Sequence, residues 1–175
     1  MSTTTYVVHG DALDLWIAER RRLGLDARDE VWNGVHHVVP RARASRGALS
    51  HRLGARLHDR AEARGLVTLG EFNLGTEGDY RIPDMGWIAT GFSADQLGLY
   101  VPTVDVVVEM VSPGDSDSGA TEEKIPWYLG RAVREVWKIT PAAETVEVVG
   151  SGGPRPRSDA FDLSAADIRG LLGWA

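Results

Sequence analysis

An apolar segment, VDVVVEMV at residues 104–111, constrains the fold more than any other part of the chain. A strand of this composition is too apolar to be exposed to solvent, so we expect residues 103–112 to form a strand within a buried sheet. Glu109 lies inside this run. Its carboxyl group is therefore expected in or beside the core, where an ionised acid needs a compensating cation or hydrogen-bond donors.

The rest of the chain predicts an α+β fold, a mixed sheet with helices packed on it. A four-residue repeat of apolar side chains predicts a main helix over residues 45–64, with Leu49, Leu53, Leu57 and Ala61 on its buried face. Further strands are expected at residues 66–74, 81–89, 133–140 and 144–150, and a hairpin around Asn33-Gly34 within residues 29–40. Shorter helices are expected at about 11–23 and about 164–172, all within a single domain spanning 1–175.

Composition excludes several classes of protein. The chain has no cysteine, which rules out a disulfide scaffold and a thiolate metal site. It shows neither a secretory leader nor an apolar run long enough to span a membrane, so we expect a cytoplasmic protein. The net charge of -6 disfavours tight nonspecific binding to nucleic acid, so any nucleic-acid contact is expected to be local, transient or assisted by a metal ion.

A second acid, Asp84, begins another apolar strand directly after Pro83. Taken singly, Asp84 could cap a turn and Glu109 could pair with an arginine at the edge of the sheet. Two carboxylates on neighbouring strands repel each other, which is a poor structural device but a good site for Mg²⁺ or Mn²⁺. Such an ion can activate water for attack on phosphorus, and Lys124 is the candidate to stabilise the developing negative charge.

The order of these motifs resembles the Uma family of putative restriction endonucleases, within the PD-(D/E)xK nuclease-like superfamily. The resemblance covers roughly residues 28–150: the hairpin DEVWNGVHHVV, a helix with an early histidine in SHRLGARL, the PD of one strand, VVVEMVSP, an acidic loop, a lysine, a tyrosine, and REVWKIT. It implies a restriction-endonuclease-like fold, hydrolysis of DNA with Mg²⁺ or Mn²⁺, and a possible homodimer.

Carried over to this chain, the resemblance assigns Asp84 and Glu109 as metal ligands and Lys124 as a catalytic lysine displaced onto the following helix. Glu30 matches the acid of the hairpin. His51 is a further candidate, although a histidine on a helix is more often packed or solvated than functional.

Three positions depart from the family pattern. Val111 stands where the superfamily usually has its lysine, two residues after the Glu. Val35, rather than an acid, follows the hairpin turn, and Pro126 falls where the helix carrying Lys124 should be established. The alternatives are therefore a metal-dependent endonuclease and a nuclease-fold binding or assembly module without turnover.

Overall fold

The computed structural model describes residues 11–39, 44–91, 98–111 and 119–174, and within them the fold is α+β, as predicted. The helices are α1 (Asp11–Arg22), α2 (Ala44–Glu62), α3 (Ala120–Gly130) and α4 (Ala165–Leu172). The strands are β1 (Glu30–Trp32), β2 (Val35–His37), β3 (Leu66–Leu69), β4 (Asn73–Thr76), β5 (Asp79–Arg81), β6 (Met85–Ala89), β7 (Tyr100–Val101), β8 (Val106–Met110), β9 (Glu135–Thr140), β10 (Thr145–Gly150), β11 (Gly153–Arg155), β12 (Arg157–Ser158) and β13 (Leu163–Ser164).

The larger sheet has six strands in the order β11-β10-β9-β8-β6-β3. Strand β8 lies inside this sheet, parallel to β9 and antiparallel to β6, and all five of its residues are buried. This confirms the prediction of a buried strand made from VDVVVEMV. Glu109 lies just beyond the residues of β8 that pair with β6, and on the other edge it lies opposite Lys138 of β9.

A second sheet of five strands has the order β2-β1-β5-β4-β7. The hairpin β1-β2 is confirmed, with positive φ angles at Asn33 and Gly34 that suit its tight turn. The segments 66–74 and 81–89 were each expected to be one strand, and that was wrong. Each is divided between the two sheets, as β3 and β4 and as β5 and β6, with breaks near Gly70 and at Pro83, which has no N–H for a ladder.

Helices cover both faces of the six-stranded sheet. On one face, α2 and α4 bury Leu53, Leu57, Ile168 and Leu172 in one core. On the other face, Ile125 and Tyr128 of α3 pack in a second core that also contains Val107 and Val136. Side chains alternate along a strand, so Glu109 lies on the same face as Val107, the face that α3 covers.

The described helices include none that is long and apolar enough to cross a membrane.

Candidate active site

Asp84 lies at the corner where the chain passes from β5 to β6, and so from one sheet to the other. Its backbone N–H donates to the carbonyl of Val108 over 3.1 Å. Its carboxyl Oδ2 accepts from the backbone N–H of Met110 over 2.7 Å. Asp84 is only 5% exposed. The two hydrogen bonds hold it beside the part of β8 that contains Glu109.

Glu109 is 3% exposed, and its carboxylate meets two donors from α3. The hydroxyl of Tyr128 donates a short hydrogen bond to Oε1, and the ammonium of Lys124 lies 3.5 Å from the same oxygen. Burial raises the pKa of Glu109 to about 7, with Lys124 opposing the shift and the nearby Asp84 and Glu30 adding to it. Burial also raises the pKa of Asp84. Asp84 thus disfavours the ionisation of Glu109, as expected for carboxylates gathered in one site.

Lys124 connects the two sheets. Its Nζ donates to Oε1 of Glu30 over 2.7 Å, and it faces Glu109 on the other side. Burial alone would lower its pKa, but the carboxylates of Glu109 and Glu30 outweigh that effect and raise the pKa above its ordinary value. Pro126 lies within α3 without ending the helix, and Lys124 points inward rather than to solvent.

Glu30 is 2% exposed at the start of β1, and each of its oxygens is bonded. Oε1 accepts from the backbone N–H of Ile82 over 2.7 Å as well as from Lys124, while Oε2 accepts from Nε1 of Trp32 over 2.8 Å. These bonds fix the direction of the carboxylate, so Glu30 acts as a rigid anchor for the ammonium of Lys124.

Arg46 is a site residue that the sequence analysis missed. Its Nε lies 3.1 Å from Oδ1 of Asp84, and its Nη2 donates a short hydrogen bond to the carbonyl of Met110. An arginine in the first turn of a helix is opposed by the helix dipole, and α2 has no acid in that turn. That mismatch is the signal in the sequence that could have indicated a buried acidic partner for Arg46.

The sequence analysis also missed Tyr128 as a site residue. It appeared there only as the tyrosine of the family resemblance. It is fully buried, and it follows Lys124 by one helical turn, so both side chains share a face of α3. This spacing could have predicted that Tyr128 reaches the same acid as Lys124.

His51 lies beside this cluster rather than within it. It is exposed on α2 and lines a groove that reaches Asp84, together with Gly54, His58 and Thr68. The structure thus brings Asp84, Glu109, Lys124 and Glu30 together, and places His51 at the rim of a neighbouring groove.

The oxygen atoms of Asp84, Glu109 and the Met110 carbonyl are of the kind that bind a hard divalent cation. Two carboxylates and the carbonyl of Met110 are oxygen ligands, and Mg²⁺ is commonly bound by one or two carboxylates with water and substrate phosphate completing its shell. Within the part of the chain that the structure describes, no group of three or more His, Cys, Asp or Glu residues is placed to hold a metal ion. The candidate ligands are therefore the pair Asp84 and Glu109 with the carbonyl of Met110.

Comparison with known proteins bears on the fold and the family of this chain. A crystal structure of a putative nuclease belonging to DUF820 from Anabaena variabilis is similar in fold, with a TM-score of 0.67 and 17% sequence identity. The match covers 82% of this chain and 90% of that chain. A search of curated proteins found no match. The profile of the family described as "Uma2: Putative restriction endonuclease" matches residues 18–165. The chain therefore belongs to the Uma2 family and has a nuclease-like fold.

Proposed function

We propose that this protein is a metal-dependent endodeoxyribonuclease that hydrolyses phosphodiester bonds with Mg²⁺ or Mn²⁺. One observation carries the proposal: two buried carboxylates, Asp84 and Glu109, lie against the same stretch of strand with the ammonium of Lys124 beside them. Burying three such charged groups costs several kcal/mol that a purely structural role would not require, so a chemical role accounts for them better.

Asp84 and Glu109 would hold the divalent ion through their carboxylate oxygens. When bound, the ion supplies positive charge to a phosphate oxygen and lowers the pKa of a water molecule. The tyrosine hydroxyl on Oε1 of Glu109 fixes the direction of that carboxylate, so Tyr128 is a positioning residue.

Lys124 would donate from its ammonium to the negative charge that develops on the phosphate. Its raised pKa keeps it protonated at neutral pH, as this role requires. Glu30 holds the ammonium 2.7 Å from its own Oε1 and thereby orients it toward Glu109. Val111 stands where the superfamily usually has its lysine. In this proposal Lys124 of helix α3 takes over the role of that lysine.

DNA as the substrate follows from the family description, and the binding mode has to be local because the chain carries a net charge of -6. Homodimerisation is part of the proposal, since nucleases of this fold commonly act as dimers. Light scattering during gel filtration measures it directly.

The test is cleavage of single-stranded, duplex and branched DNA with Mg²⁺ or Mn²⁺, comparing the native protein with Glu109→Ala and Glu147→Ala. Glu147 is an acid on β10 whose side chain is 57% exposed, so its replacement controls for the lost charge. We expect cleavage by the native protein and by Glu147→Ala, and none by Glu109→Ala. Cleavage that survives Glu109→Ala would indicate a contaminating nuclease.

A binding or assembly module without turnover is the second candidate. The observation that favours it is the guanidinium of Arg46 beside Asp84, together with Val111 in place of the usual lysine. Absence of cleavage on every substrate, combined with DNA binding that does not depend on a divalent ion, would favour this candidate over the enzyme.

A further inference from the structure

A cation already lies beside Asp84. The Nε of Arg46 is 3.1 Å from Oδ1 of Asp84, and its Nη2 donates to the carbonyl oxygen of Met110. One guanidinium therefore joins a carboxylate oxygen and a backbone carbonyl oxygen. Both are the kind of oxygen that a hard divalent cation takes as a ligand.

This contact is largely withdrawn from water. The side chain of Arg46 is 18% exposed and that of Asp84 is 4% exposed. Charges interact more strongly at such a position than at the surface, so the attraction between the two groups and the repulsion between Arg46 and a second cation are both substantial. A divalent ion bound at Oδ1 of Asp84 would be repelled by the guanidinium, which lies 3.1 Å from the same oxygen.

Resting on the proposed function, we propose that Arg46 competes with the divalent ion and thereby sets the affinity of the site for it. The guanidinium leaves Oδ1 of Asp84 when Mg²⁺ or Mn²⁺ binds, and returns when the ion leaves. The other oxygen, Oδ2, keeps its bond from the N–H of Met110 in both states, so Asp84 itself stays in place.

The competition has a measurable size. If the Arg46–Asp84 contact is formed about nine-tenths of the time, only about one-tenth of the protein is ready to bind the ion, and removing the contact tightens the apparent Kd about tenfold. A merely structural arginine would give the opposite result, since its loss would leave Asp84 less well positioned.

The first experiment is calorimetric titration of Mn²⁺ into the native protein, Arg46→Gln and Arg56→Gln. Arg56 is an exposed arginine of the same helix, so Arg56→Gln removes the same charge away from Asp84. We expect Arg46→Gln to bind Mn²⁺ about tenfold more tightly than the native protein, and Arg56→Gln to bind within about twofold of it.

The second experiment uses the native protein alone and so does not depend on the variant folding. The Nε–H resonance of Arg46 is followed by ¹⁵N NMR during titration with diamagnetic Mg²⁺. We expect its exchange with water to accelerate as the ion binds, with a midpoint equal to the Kd measured calorimetrically. A resonance that stays unchanged at saturating Mg²⁺ would overturn the proposal.

The outcomes separate this inference from the proposed function. If the native protein binds Mn²⁺ and Arg46→Gln binds it equally or less tightly, the competition is wrong while the cation site stands. Binding by Arg46→Gln but not by the native protein supports the competition. If neither protein binds Mn²⁺, the competition and the metal-dependent function both fail.

Discussion

The ammonium of Lys124 lies between a carboxylate of each sheet, 2.7 Å from Glu30 and 3.5 Å from Glu109. We expect Lys124→Ala to lower the cleavage rate about a hundredfold or more, the usual cost of losing one donor to a developing oxyanion. Binding of Mn²⁺ should not weaken, because the ammonium is a cation rather than a ligand. Single-turnover cleavage and calorimetry on the same preparation measure the two effects. Loss of Mn²⁺ affinity in proportion to the rate would contradict this role.

The sequence indicated part of this cluster. Glu109 could be recognised because an acid within a valine run has to be compensated, and its burial at 3% exposure agrees with that argument. Arg46 was assigned to a solvated surface, because the basic segment around it is typical of one and its place in the first turn of α2 does not identify which acid it meets. Only the tertiary contact between α2 and the end of β8 shows that Arg46 faces Asp84.

The ion pair with Arg46 also changes the effect on stability that is expected when Asp84 is neutralised. Mutual repulsion of Asp84 and Glu109 by itself predicts that Asp84→Asn stabilises the metal-free protein. The ion pair with Arg46 opposes that gain, because losing one partner of a mostly buried pair leaves the other uncompensated. Because burial raises the pKa of Asp84 in spite of Arg46, burial and repulsion outweigh the pair. We therefore expect Asp84→Asn to raise the free energy of unfolding without metal, by less than repulsion alone would, as urea denaturation would show. A decrease would mean that the pair with Arg46 outweighs burial and repulsion.

At the scale of secondary-structure elements, Asp79 fixes helix α3 to the smaller sheet. Its carboxylate accepts from Nη2 of Arg131 over 2.6 Å, from Nε1 of Trp127 over 3.0 Å and from the backbone N–H of Asn33 over 3.1 Å. Burial would raise the pKa of Asp79, but these bonds, with one from Arg81, lower it to about 2. Asp79 therefore holds in place the helix that carries Lys124.

The depressed pKa of Asp79 determines the sign of a pH effect. Its contribution to stability is fully present above its ordinary pKa of 3.8 and is lost as the pH falls towards 2. We expect Asp79→Asn to be less stable than the native protein at about pH 6, by about 2 kcal/mol at most, with the difference vanishing near pH 2. Urea denaturation across this range measures it. A difference independent of pH would contradict the assignment.

Strand β6 approaches β8 closely because of Gly86. A Cβ at this position would lie 2.7 Å from the carbonyl oxygen of Val106 and 3.1 Å from the ring of Phe72. We expect Gly86→Ala to destabilise the fold by about 1–3 kcal/mol, as overpacking usually does, and to shift Asp84 relative to Glu109. Gly70→Ala is the control, since nothing lies within 4 Å of its Cβ position, and it should be nearly neutral. Thermal denaturation of both variants checks this, and equal stability would refute it.

The division of the segments 66–74 and 81–89 between two sheets was the main error at this scale. Each segment looks like one strand because its residues have high strand propensity on both sides of the break. Pro83 was visible as a residue that cannot donate to a ladder, yet the sequence does not show that the chain changes sheets there. That change is what places Asp84 at the junction of the sheets.

For the whole molecule, the class of fold followed from the alternation of apolar segments, and the α+β architecture is confirmed. The presence of a second sheet did not follow, because its strands are only two to four residues long and carry little periodic signal. The two sheets together build the candidate site, since Glu30 comes from one and Glu109 from the other, and Lys124 reaches both.

The central claim is that Asp84 and Glu109 form one site for a divalent cation. Binding of the ion to the folded state can be measured as an increase in the stability of the whole molecule. An ion that binds only the folded state stabilises it by about 2.7 kcal/mol at a free concentration of ~100 times its Kd. For a chain of this size, that corresponds to a rise in Tm of roughly 5 to 10 °C.

The decisive measurement is therefore the Tm of the native protein, of Glu109→Gln and of the exposed control Glu147→Gln, each with and without saturating Mn²⁺. We predict a rise of roughly 5 to 10 °C for the native protein and for Glu147→Gln, and loss of most of that rise in Glu109→Gln. A native protein whose Tm does not respond to Mn²⁺, or a Glu109→Gln variant that responds as fully as the control, would contradict the account.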